Sequence, residues 1–81
     1  LRAALEVLDL VRNEVEVARQ LEQAERDRFL LGDSTQFLVN LREIATADAE
    51  FREISAAAES HKARVAYDVA TARLAILANN P

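Results

Sequence analysis

Leu31-Gly32-Asp33-Ser34 decides how this chain folds. Gly32 is its only glycine, and the only proline is Pro81 at the other extreme. Glycine takes the left-handed conformation that ends a helix. Asp33 or Ser34 can then cap a following helix through a side-chain oxygen. Asp33 and Gln36 have the spacing of a capping box. A helix stop and a helix start within about three residues leave a short link, which favours antiparallel neighbours.

Outward from that turn, nothing breaks either flank. The sequence predicts one helix over residues 1–31, a turn over 32–34 and a second helix over 35–79, with Asn79, Asn80 and Pro81 ending it. On the first flank, Leu1, Leu5 (with Ala4), Leu8, Val11, Val15, Ala18 and Leu21 (or Glu22) recur at three- and four-residue steps. They share one helical face, which Val7, Leu10 and Val17 widen.

The second flank carries a heptad seam: Phe37, Leu41, Ile44, Asp48, Phe51, Ser55, Ala58, Lys62, Val65, Val69, Ala72 and Ile76. Spacing of this kind, sustained over five heptads, is a coiled-coil signature. Beside it runs an alanine stripe, Ala45, Ala49, Ala56, Ala63, Ala66 and Ala70. Small side chains let another helix approach closely. The second helix therefore has one face for a partner and a second face for another neighbour. The expected fold class is all-α, an antiparallel two-helix coiled-coil hairpin.

Three polar residues interrupt the seam at seven-residue spacing: Asp48, Ser55 and Lys62. Two readings stand. Either the seam is imperfect there or those positions face solvent, or else these residues set register or line a water-filled space in an assembly, a buried polar seam residue specifying pairing at a cost in stability.

Composition supports a helical chain and excludes several function classes. Of 81 residues 51% are apolar and 30% charged, too apolar for a disordered tail. Alanine fills 16 positions, whereas sheet folds need frequent Gly and Pro turns. With no cysteine there is no disulfide framework and no thiolate site. The lone histidine, His61, has Ala58 and Val65 at i−3 and i+4, so it has no helical metal-ligand pair. No catalytic residue, metal site or cofactor is expected. The net charge is −4, and residues 1–31 and 32–81 each carry seven acidic and five basic groups. No basic stripe marks a nucleic-acid partner, and no apolar run approaches the ~18–20 residues of a membrane span. The chain begins at Leu1 without any Met, and is expected to be a piece of a longer protein.

The two helices differ in length, at about 46 and 67 Å. Folding at Gly32 sets Leu1 roughly opposite residue 65 and leaves Val65 through Leu77 without an intrachain partner. An apolar stripe of that kind marks an interaction site, and self-association as a dimer or higher assembly is expected.

The ordered set Arg28-Phe29-Leu30-Leu31-Gly32-Asp33-Ser34, continuing through Phe37-Leu38-Val39-Asn40-Leu41-Arg42-Glu43, resembles the hairpin tip of the TolC-like outer-membrane efflux protein family. Ala45, Ala49, Ala63, Tyr67 and Ala70 resemble that family's alanine-rich continuation. The resemblance covers roughly residues 18–78. One position departs: many members place an acidic residue six after the glycine, where this chain has Leu38. The resemblance implies a periplasmic helical tunnel segment of a trimeric outer-membrane efflux or secretion channel in the Gram-negative envelope. It also implies that the segment itself makes no membrane contact. Leu31, Gly32, Asp33 and Ser34 would then contact a periplasmic adaptor (membrane fusion) protein. The alternative from a different class is a structural coiled-coil scaffold or dimerisation module with no transport role.

Overall fold

The computed structural model describes residues 1–79 and contains two helices, α1 (Arg2–Leu30) and α2 (Gln36–Ala78). They pack antiparallel into a hairpin measuring 76 × 14 × 13 Å, and no strand occurs among the described residues. The expected all-α fold class is what the chain adopts. Asn79 is the C-cap of α2, and Asn80 and Pro81 lie outside the described residues.

The α1 face that meets α2 is the one its periodicity marks. Leu8 and Val15 are buried, and Ala4, Val11, Ala18 and Glu22 are half-buried between and beside them. The stripe ends on a buried charge, Glu25. Leu5, Val7, Leu10, Val17 and Leu21 stay exposed, because one neighbouring helix covers only a narrow stripe.

On α2 the contact falls on the alanine side. Val39, Thr46, Ala49, Ala56 and Ser60 are buried, with half-buried Arg42, Glu53 and Ala63 between and beside them. Positions 39, 42, 46, 49, 53, 56, 60 and 63 alternate steps of three and four, a heptad stripe in their own right. The bulkier seam from Phe37 to Ile76 faces away, with Phe51 67% exposed. Asp48, Ser55 and Lys62 are exposed with it. The reason is steric: Leu8, Val11 and Val15 already supply bulk to the interface, so small facing side chains complete each layer and bring the backbones close. Val15 and Ala49, each 1% exposed, are the tightest positions on their helices. Thr46 registers that closeness. Its hydroxyl donates to the Arg42 carbonyl at 3.0 Å and lies 3.3 Å from the Ala18 carbonyl across the seam.

Ion pairs line both flanks and fix the antiparallel register: Glu14–Arg52 at 2.8 Å, Arg26–Glu43 at 3.1 Å and Arg19–Glu50 at 3.4 Å. All are about half exposed, so each contributes roughly 0–1 kcal/mol. They specify alignment more than they stabilise it. With Ala18 opposite Thr46, α1 ends near Ala63, and residues 64–79 are exposed without exception. The overhang of α2 expected from the unequal lengths is present.

Candidate functional site

The turn is assembled by backbone geometry first. Leu31 ends α1 in a right-handed conformation, and Gly32 follows with φ +84°. The Gly32 N–H donates to the Phe29 carbonyl at 3.0 Å and the Asp33 N–H to the Arg28 carbonyl at 2.8 Å. Those two bonds form a Schellman motif, which satisfies the Arg28 and Phe29 carbonyls at the end of α1. No atom lies within 4 Å of where a Gly32 Cβ would stand. Glycine is required here by its dihedral angle and not by space.

The cap of α2 differs from expectation. Thr35, in an extended conformation, accepts the Leu38 N–H on its Oγ1 at 3.2 Å. Neither Asp33 nor Ser34 caps, and the Asp33–Gln36 capping box does not form: the Gln36 side chain donates to Asn40 Oδ1 instead. The Schellman turn accounts for this. It commits the Asp33 backbone to α1, so the extended residue that opens α2 comes two positions later.

Ser34 is turned inward. Its Oγ donates to Glu25 Oε2 at 2.6 Å. Glu25, 6% exposed, also has Arg28 Nη1 at 3.4 Å on Oε2 and Arg42 Nε at 3.7 Å on Oε1. The other Arg28 terminal nitrogen donates to the Asp33 carbonyl at 3.2 Å. One buried carboxylate thus binds α1, the turn and α2 together. Every such group needs its partners, and among the described residues no buried side-chain polar atom lacks one.

The residues marked from sequence are contiguous but face different ways. Leu31, Gly32 and Asp33 are exposed at the tip, while half-buried Ser34 serves the fold. Leu30 and Leu31 are 82% and 78% exposed, and Phe37, in the first turn of α2, is exposed as well. Leu30 and Phe37 lie outside the four residues that the sequence predicts for the site. The signal for Leu30 was present, since two consecutive leucines at a helix end cannot both face a single partner helix. Glu25 was also unmarked, although a carboxylate seven residues beyond Ala18, on the apolar stripe, signals a buried charge.

The tip offers an apolar, rigidly held convex surface. The remaining chemistry is sparse. Among the described residues no group of three or more His, Cys, Asp or Glu is arranged to hold a metal ion. No helix of the described residues is long and apolar enough to cross a membrane. A shallow groove lined by Val17, Leu21, Ala45 and Arg52 is open to solvent along one flank. No family model matches the chain, and no curated protein or solved structure matches it.

Proposed function

We propose that this chain is a periplasmic helical tunnel segment of an outer-membrane efflux or secretion channel, contacting a periplasmic adaptor protein at its turn. The observation that carries the reading is the tip. In the sequence Leu30, Leu31 and Phe37 lie at and beside a turn that a Schellman motif and the Glu25 network hold in one shape, and all three are exposed. Exposed apolar groups on a pre-organised surface favour binding, because little ordering is left to be done on association. The sequence resemblance around Gly32 supplies the class of partner. The role requires no catalysis and no cofactor. The parent protein is a trimer in this reading, and α2, with apolar stripes on two opposite sides, suits a wall in which a helix has more than one neighbour.

A second reading has its own observation. The exposed stripe from Phe37 to Ile76 on α2 also suits a coiled-coil scaffold or dimerisation module whose turn binds nothing. One substitution separates the two. In the parent protein, Leu31→Glu should leave assembly intact while abolishing efflux and adaptor crosslinking. Normal efflux at normal protein levels would reduce the turn to a helix connector.

A further inference from the structure

The outward stripe of α2 lies on the side opposite its contact with α1, so another helix could seat there without displacing the hairpin. Phe37, Leu41, Ile44, Phe51, Val65 and Val69 are all exposed on it. Its polar members form a pattern: Asp48 stands seven residues before Ser55, and Lys62 seven after. Asp48 and Lys62 extend into solvent, with side chains 70% and 75% exposed. Among the described residues their ion pairs are loose ones on their own helix, Asp48–Arg52 at 3.5 Å and Lys62–Glu59 at 3.8 Å.

We infer that this stripe is a self-association surface, and that its occupant is α2 of a second copy, running antiparallel about a two-fold axis at Ser55. The charge order negative, neutral, positive is complementary to itself only when reversed. The two-fold sets Asp48 against Lys62 of the second copy, twice, with Ser55 against Ser55. The apolar residues match in the same register. Leu41 stands level with Val69, while Ile44 packs within one residue of Val65 and Phe51 within one residue of the small Ala58. A parallel in-register pair would instead set Asp48 on Asp48 and Lys62 on Lys62, and like charges across an interface disfavour it. The outer face of α1 is a poor occupant, because the positions opposite its buried stripe include Glu6, Asn13, Gln20 and Asp27.

The area is sufficient. A buried aromatic side chain removes roughly 150–250 Å² from water. At two-thirds exposure now, Phe37 and Phe51 of two copies supply roughly 400–670 Å², and Leu41, Ile44, Val65 and Val69 of both copies bring the stripe to about the lower end of the roughly 1,200–2,000 Å² of specific interfaces. The resulting pair has its turns at opposite ends. It is a contact of the 81-residue chain itself and does not rest on the tunnel reading.

Cysteine placement and charge reversal test it on the intact chain. Ser55→Cys lies on the axis and should oxidise to a disulfide-linked dimer. Asp48→Cys and Lys62→Cys should not, because the two copies of either site stand about 21 Å apart in this register. In sedimentation equilibrium at tens of micromolar the unmodified chain should be dimeric. Lys62→Glu should weaken the dimer roughly tenfold or more, and Asp48→Lys combined with Lys62→Glu should restore it. Circular dichroism should show the same helicity throughout. A monomer at these concentrations overturns the inference. So does crosslinking at position 48 as efficient as at 55, which would mean a parallel pair, or a double variant no tighter than Lys62→Glu alone.

Discussion

Ser34 donates a 2.6 Å hydrogen bond to the carboxylate of Glu25, nine residues earlier on the opposite side of the turn. The bond does two things at once. It satisfies a buried charge, and it stops the segment between the helices from swinging about Gly32. Arg28 and Arg42 complete the arrangement from α1 and α2.

Removing that carboxylate should therefore cost more than any flanking ion pair. Glu25→Ala leaves two arginines and one hydroxyl without their acceptor, and a destabilisation of about 1–3 kcal/mol is expected. Arg19→Ala, at an exposed pair, should cost no more than about 1 kcal/mol. Urea unfolding followed by circular dichroism measures both. Equal effects would mean that the Glu25 network is no more than another surface pair.

The caps give a second test, with a sign that separates neighbouring residues. Thr35→Ala should cost roughly 0.5–2 kcal/mol, since it leaves the Leu38 N–H without its acceptor. Asp33→Ala should change stability by less than about 0.5 kcal/mol, because only its backbone is engaged. Gly32→Ala should cost on the order of 1 kcal/mol from the positive φ alone. If Asp33→Ala proves the costlier of the two cap changes, the cap lies at Asp33 after all.

The two stripes of α2 should answer oppositely to substitution. Ala49→Leu forces bulk into the close contact with α1 and should destabilise the hairpin by roughly 1–3 kcal/mol. Phe51→Ala should leave the monomeric hairpin nearly unchanged, although the same truncation in a core costs about 3–5 kcal/mol. Thermal unfolding at low concentration, where self-association is absent, reads the difference. A large loss at Phe51 in the monomer would place the bulky seam against α1.

Most of the fold was legible because few residues punctuate it. One glycine divides the chain, and the steps through Leu8, Val11, Val15 and Ala18 give the buried face of α1 directly. The partner face of α2 was harder. Two stripes with the same three-four spacing run along opposite sides of that helix, and spacing carries no information about which one α1 selects. Choosing by bulk favours Phe37 to Ile76, whereas the geometry of two close helices favours alanine. The cap was hidden for a different reason. Asp33, Ser34 and Thr35 are all good capping residues, and what decides among them is the Schellman bond from Asp33 back to Arg28 together with the bond from Ser34 to Glu25. At the tip, Leu31, Gly32 and Asp33 were legible as exposed turn residues. The inward role of Ser34 was not, because it depends on a carboxylate nine residues away.

The close spacing in sequence of the contacts around the turn also sets an order of events. Glu25–Ser34 closes a loop of nine residues, Arg26–Glu43 one of 17, Arg19–Glu50 one of 31 and Glu14–Arg52 one of 38. Each contact shortens the loop that the next must close, so the entropy of closure is met in small steps and not all at once. A chain built this way has low contact order and should fold within microseconds to milliseconds, zipping from the tip toward Leu1. Substitutions at Glu25 or Thr35 should slow folding in proportion to the stability they remove. Substitutions at Leu8 should instead speed unfolding.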